Sequence, residues 1–501
     1  MSFSPARPRP SAAVAEVAAA VEGVRQPTAP RLRHRADDVL AGSLSADETF
    51  RLDAEYGNHD LLQLIKLFDM HGPLRPINPW EVEDARGRQL IHAGSYAVLP
   101  FGEAYPGIIE FAQRFLAAAP VSVNFAGQSA SAWRAALQET LVGLLAAHAP
   151  SHADSRVFLC NSGAEAVEAA LKLARCARPK ATTLVNFSRA YHGKTMGALS
   201  LTPNEEYQAP FRPLIGPVRT IPFGDIEALA SAVHQIGPDK VQAIVVEPVQ
   251  GEAGVIVPPA GFLSRLGALA KEHGIPVIAD EIQSGLGRTG HWFASVAAGL
   301  DPDIVTLAKP LGGGLVPIGA TIARRAIFQA MFAGVHSKRH SSSFAGGSFA
   351  CAVALRSLEI IADEGLVEKS REDGAYGLER LRAIQAAHPH LIGDVRASGL
   401  LFAVTIKPVL PGRLLPIDPT LLPFLSAALG IAALHRHGVH ACYSFNGQGV
   451  LRLTPPLTIP RATLATMFDR VEAMADHHRR PISLLKMLSP GQMTRLVRMA
   501  F

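Results

Sequence analysis

Between residues 241 and 279 the chain reads VQAIVV, then a loop and the helical stretch GFLSRLGALAKEHG, then IPVIA. Two short, β-branched, wholly apolar runs flanking one amphipathic helix predict a strand–helix–strand unit, which is right-handed and puts its two strands side by side and parallel. The helix would turn Phe262, Leu266, Leu269 and Ala270 inward and stop at Gly274. A third run, Asp303 to Ala308, predicts the next buried strand. Few folds other than a doubly wound α/β sheet accommodate such a series.

Each of these strands ends on an ionisable residue: Glu247, Asp280 and Lys309. In open α/β sheets ligands bind beyond the strand ends, so three such groups on one rim predict a site rather than a solvated face. Lys309 is followed by Pro310 and then by Gly312, Gly313 and Gly314. The glycines admit a close approach of backbone or ligand. Pro310 predicts an extended backbone at Lys309.

Upstream, RVFLCNSGAEAVEAALKLARCA predicts a strand over 157–160, a turn at Asn161-Ser162-Gly163, and a helix with Val167, Ala170, Leu171 and Ala174 on one face. Ser162 is either an ordinary N-cap or, with the free N–H groups of that helix end, part of a phosphate site. ATTLVNF (181–187) predicts another strand, leading to Tyr191 and His192. That aromatic pair either caps the core or covers the face of a planar cofactor. An amine for an aldehyde, a carboxylate for a ring nitrogen, a helix N-terminus for a phosphate and an aromatic for a ring face are the demands of pyridoxal phosphate (PLP).

The motifs NSGAEAVEAALKLAR, AYHGKT, VEPVQGEAGV, ADEIQSGLGRTG and LAKPLGGGLVPIGA, in this order, resemble those of the class III aminotransferases, the fold type I PLP enzymes that include ornithine and acetylornithine aminotransferases. The resemblance runs from about residue 155 to 460. It implies a large domain with a mostly parallel sheet flanked by helices, and a smaller α+β C-terminal domain. It assigns Lys309 to the Schiff-base lysine and Asp280 to the partner of the pyridine nitrogen. Gln283 matches the donor to the ring's 3-oxygen, Tyr191 the stacking aromatic, and Ser162, Gly163 and Ala164 the phosphate turn; His192 and Glu247 complete the expected cofactor-binding set. Ser343, in HSSSFAGGSFAC, stands where the family has a threonine that reaches the phosphate of the neighbouring subunit, which implies a homodimer with shared sites. Here Gly346-Gly347-Ser348 departs from the family's usual Gly-Asn-Pro. Glu252 and Arg452 occupy the positions of a glutamate and an arginine that pair in ornithine-type members, where the arginine is released to take the α-carboxylate of glutamate or 2-oxoglutarate; a purely structural ion pair is the alternative. Lys194 falls where ornithine aminotransferase has an arginine. No metal is implied.

The expected activity is therefore transfer of an amino group between an ω-amino compound and 2-oxoglutarate or glutamate. A PLP decarboxylase or aminomutase, or a non-catalytic binding protein derived from the family, remain alternatives.

Composition limits the rest. With 48% hydrophobic and 18% charged residues the chain is globular, and no apolar run approaches the roughly 18 residues of a membrane span. Net positive charge is concentrated in the two tails, residues 1–36 and 477–501, so the body offers no basic nucleic-acid face. Cys160, Cys176, Cys351 and Cys442 show no paired spacing, which predicts free thiols and a cytoplasmic location. The N-terminus lacks the apolar core of a secretory signal; its Arg, Pro and Ala bias fits a disordered tail or a transit peptide. The expected organisation is a basic tail (1–40), an N-terminal segment (41–125) with a hairpin over 80–94, a large PLP-binding domain (126–350), a small domain (351–475) with a Pro-rich loop at 407–419, and a basic helical extension (476–501).

Overall fold

The computed structural model describes residues 33–68, 70–118, 129–410, 421–444, 446, 449–492 and 494. The N-terminal tail to residue 32, most of the Pro-rich loop and the last residues of the basic extension thus lie outside the described residues. The chain divides into two compact units, up to His59 and from Asp60 onward. In the first, the helix Ala46–Tyr56 starts at Ser45, whose hydroxyl accepts the Glu48 N–H at 3.2 Å. Its exposed face carries Arg51 between Glu48 and Glu55.

The second unit is built on two seven-stranded sheets. In chain order the strands are β1 (Arg75–Asn78), β2 (Glu81–Glu83), β3 (Gln89–Ala93), β4 (Arg156–Cys160), β5 (Thr183–Phe187), β6 (Val218–Ile221), β7 (Val241–Val246), β8 (Val277–Asp280), β9 (Ile304–Leu307), β10 (Gly319–Ala323), β11 (Ile392–Ser398), β12 (Leu401–Ile406), β13 (Val439–Tyr443) and β14 (Val450–Leu453). The first sheet runs β4-β10-β9-β8-β7-β5-β6. It is parallel except for β10, which is antiparallel to both neighbours. Every residue of β7, β8 and β9 is buried. Helices cover both faces, so these strands read as unbroken apolar runs rather than as alternating ones. The helix Phe262–Glu272 buries Phe262, Leu263, Leu266 and Ala270, and Gly274 follows it at φ +59°.

The second sheet runs β1-β2-β3-β13-β14-β12-β11 and joins strands from opposite ends of the chain. β2 and β3 form the anticipated hairpin, with Glu81 opposite Ile91. β3 then pairs in parallel with β13, setting His92 beside His440. After the helix Arg461–His477 the basic extension forms a 3-10 turn over Pro481–Met487, which buries Leu484 in the main core. Among the described residues no helix is long and apolar enough to cross a membrane.

Candidate active site

Because β7, β8 and β9 are adjacent and parallel, Glu247, Asp280 and Lys309 emerge on one rim. With the helix start at Ser162 and the segment 191–194 they line a cavity of about 360 Å³, a size suited to a small organic ligand. All the candidate residues line it except Arg452, which lies buried behind Glu252, and Ser343, which is exposed.

Lys309 does not take the extended backbone that Pro310 suggested; its φ is +40°. The chain reverses as soon as β9 ends, in a tight turn over Lys309–Gly312. Leu311 N–H donates to Ala308 O and Gly313 N–H to Pro310 O, both at 2.9 Å. The Pro310 carbonyl also accepts from Ser357 Oγ at 2.8 Å. These contacts hold a left-handed residue that costs roughly 1–2 kcal/mol for a side chain other than glycine. Burial pulls the Lys309 amine below the ordinary lysine pKa; Glu252, Asp280 and Glu247 oppose that shift and Arg452 adds to it. Gly313 and Gly314 also have positive φ, and a Cβ on Gly314 would meet Leu99 Cδ2 at 2.8 Å.

Asp280 is fully engaged. Its Oδ2 accepts from His192 Nδ1 at 2.7 Å, and its Oδ1 from Ile282 N–H and Thr306 Oγ1, both at 3.2 Å. This bond assigns the Nδ1–H tautomer to His192 and leaves Nε2 buried without a partner among the described residues. Glu247 accepts the Tyr191 N–H at 3.0 Å. Its burial and the nearby Asp280 charge push its pKa well above the carboxylate range.

Ser162 caps the helix Gly163–Ala177, accepting from Glu165 N–H at 3.2 Å. The first N–H groups of this helix, at Gly163 and Ala164, have no intrahelical acceptor by construction. The wall beside them is close: a Cβ on Gly163 would lie 2.9 Å from Ile282 Cδ1, and one on Gly193 2.8 Å from Ala164 Cβ. Lys194 stands exposed at the rim with its Nζ 4.0 Å from the Tyr207 ring centroid.

Glu252 and Arg452 form a fully buried ion pair, Oε1 to Nη1 at 2.6 Å. Gln283 sits against it, accepting from Arg452 Nη1 at 3.2 Å and donating to Glu252 Oε1 at 3.3 Å and to Tyr96 O at 3.4 Å. Only a glycine at 251 leaves room for that amide, since a Cβ there would fall 1.3 Å from Gln283 Oε1. Burial raises the Glu252 pKa, but the charges of Arg452 and Lys309 outweigh it and the net shift is downward. Arg452 Nε and Nη2 have no hydrogen-bond partner among the described residues, and its Cζ lies 5.1 Å from the Tyr96 ring centroid.

Tyr96 was not anticipated from the sequence. It belongs to a loop without periodic pattern, and the signal is conformational: Tyr96 and Ala97 are consecutive non-glycine residues at φ 52° and 64°.

The donors and acceptors present suit pyridoxal phosphate. An amine with a depressed pKa, a buried carboxylate accepting from three donors, an open helix N-terminus and an imidazole nitrogen that is buried and unpartnered among the described residues converge on one cavity whose walls exclude even a methyl group at Gly163 and Gly193.

The model of the aminotransferase class-III family matches residues 79–474. Among solved structures, an amine transaminase from an uncultivated Pseudomonas species in its PLP-bound form is 28% identical with a TM-score of 0.71, over 80% of this chain and 94% of that one. The ornithine aminotransferase of Toxoplasma gondii ME49 is 25% identical with a TM-score of 0.75, over 89% and 100%. The acetylornithine aminotransferase of Elizabethkingia anophelis is 27% identical with a TM-score of 0.67, over 85% and 98%.

Proposed function

The chain belongs to the class III aminotransferases and is a PLP-dependent enzyme; from that premise we propose that it moves an amino group between an ω-amino compound, such as a diamine or diamino acid, and the 2-oxoglutarate/glutamate pair. The observation that carries this reading is the Glu252–Arg452 pair. It places a planar guanidinium, with Nε and Nη2 unpartnered among the described residues, behind a carboxylate that lines the cavity. An arginine fork matches a carboxylate in two parallel hydrogen bonds. When a dicarboxylate enters, Glu252 swings aside and Arg452 takes its carboxylate. When an amine with no carboxylate at that end enters, Glu252 stays and neutralises the arginine.

PLP, when bound, supplies the aldehyde that takes up the amino group and a ring that stabilises charge on the neighbouring carbon. In the proposed assignment Ser162, Gly163 and Ala164 would hold its phosphate, Asp280, with His192 bonded to it, would pair with the ring nitrogen, and Tyr191 would lie against the ring. Gln283 faces the ring oxygen and Glu247 supports Tyr191 through its backbone. Lys309 Nζ, whose pKa burial lowers, is the base that moves a proton at the carbon bearing the amino group. Lys194 is the cation at the entrance.

The assignment of Ser343 to a neighbouring subunit's phosphate, and with it a homodimer, is part of the proposal. Its support is that Ser343 and the adjacent Phe344, 65% exposed, are uncovered in the protomer. A cytoplasmic location is likewise proposed, supported by four free cysteines.

Steady-state kinetics of Arg452→Leu test the substrate reading. The Michaelis constant for 2-oxoglutarate should rise by about tenfold or more while that for the amine changes little, as loss of one charged hydrogen-bonding group costs about 1.5–3 kcal/mol. Equal effects on both substrates would refute it. A panel of diamines, ω-amino acids and amino sugars against 2-oxoglutarate identifies the donor.

A further inference from the structure

Arg288 is fully buried, yet among the described residues no carboxylate faces it. Its Nη1 donates to Pro455 O at 2.5 Å and Leu400 O at 3.3 Å, whereas Nε and Nη2 have no partner among the described residues. Burial alone lowers its pKa to about 9. A cation taken out of water without an acid is costly, and two carbonyl contacts return only part of that cost. Such a group calls for a reason beyond packing.

Its position supplies one. Arg288 lies in the loop that leaves β8, five residues beyond Gln283, and that loop is strained, with Leu286 at φ 54°. Pro455 lies just beyond β14, three residues past Arg452. Arg452 in turn donates to Gln283. The contacts therefore close a circuit: Gln283 to Arg288 along one backbone, Arg288 to Pro455 through the guanidinium, Pro455 back to Arg452 along β14, and Arg452 to Gln283 through side chains. The backbone of Arg288 anchors the same junction from the other side, its carbonyl accepting from Leu400 N–H at 3.0 Å and Ser370 Oγ at 3.1 Å. A Cβ at Gly399 would come within 2.5 Å of that carbonyl, so this junction between the two sheets is tight.

We propose that Arg288 is a positioning residue for the Glu252–Arg452 pair, holding the end of β14 in register with the Gln283 loop so that the Arg452 guanidinium faces the substrate carboxylate. This inference rests on the proposed function only in taking Arg452 as the group that meets the dicarboxylate.

The test is a cycle of holoenzymes carrying Arg288→Met, Arg452→Leu and both, each assayed with amine and 2-oxoglutarate and titrated with glutarate, a dicarboxylate that cannot react. Arg288→Met should raise the Michaelis constant for 2-oxoglutarate and weaken glutarate by about tenfold, leave the amine within about twofold, and add nothing once Arg452 is leucine. An equal effect on both substrates, no effect, or a full effect retained in the Arg452→Leu background would overturn the proposal. If Arg452→Leu leaves glutarate binding intact but changes another parameter, the dicarboxylate reading fails by itself. Arg288 is then judged on the parameter that Arg452→Leu does move, because the cycle asks whether the two residues act as one. An Arg452→Leu enzyme unchanged in every parameter overturns both ideas. Arg288→Lys keeps a cation within reach of the carbonyls and should recover part of the affinity; it takes the place of Arg288→Met in the cycle should that variant not fold. A lysine variant that binds glutarate no better than a folded methionine variant also counts against the proposal.

Discussion

Lys309 presents its amine from a left-handed backbone that only the surrounding turn makes tenable, and it is buried among three carboxylates and one arginine. Replacing it by alanine should lower kcat by ~10⁴-fold or more, the scale seen when a nucleophile is removed, while PLP still binds through the helix N-terminus. Turnover by Lys309→Ala at the wild-type rate would remove the central assignment. The direction of its pKa shift makes a second prediction. Capture of PLP by the cofactor-free protein needs the neutral amine, so its rate should climb with pH around a midpoint below the ~10.4 of a free lysine. Glu252 raises that pKa and Arg452 lowers it. Glu252→Gln therefore removes the raising charge and leaves the lowering one, and the midpoint should move further down. A midpoint that moves upward in stopped-flow absorbance would contradict the electrostatic account.

At the scale of elements, β3 and β13 bring His92 and His440 into a stack, ring centroids 5.2 Å apart. His435 approaches from the helix Leu421–Arg436, its Nε2 3.2 Å from Asp84 Oδ2, and Glu103 Oε1 lies 3.9 Å from His92 Nδ1. Burial lowers the pKa of His92 to about 4 and, with its histidine neighbours, that of His440 to about 3. The unfolded chain has ordinary histidines near 6.5 and takes up these protons first. Stability from keeping the two rings neutral is thus present above pH ~6.5 and falls toward pH 4, by about 1.4 kcal/mol per pH unit for each ring. Differential scanning calorimetry from pH 7 to 5 should show His440→Leu losing less of its melting temperature than the wild type; parallel decline of both would count against these histidines.

For the whole molecule, the second sheet needs both ends of the chain, because β3 supplies the parallel neighbour of β13. A chain beginning at residue 126, the proposed start of the large domain, would leave β13 with an open edge and the space that Leu90 and Ile91 occupy empty. It should be recovered as aggregate in sedimentation assays; a soluble, PLP-binding product would show that the hairpin is dispensable. The proposed division near residue 350 falls inside the helix Ser348–Asp363, which buries residues in the same core as strands of both sheets. The sequence by itself determined the central sheet and the gathering of Glu247, Asp280 and Lys309 on one rim, since β7, β8 and β9 are continuous apolar runs and the residue ending each run is a matter of local order. The same holds for the helix start at Ser162, whose cap is a contact three residues long. Only the tertiary structure decided that His192 bonds Asp280, that Gln283 joins the Glu252–Arg452 pair, that Tyr96 lies beside it, and that Lys309 is left-handed. Those facts depend on segments far apart in the chain closing on one another, and packing between such segments leaves no periodic trace in the residues that make it.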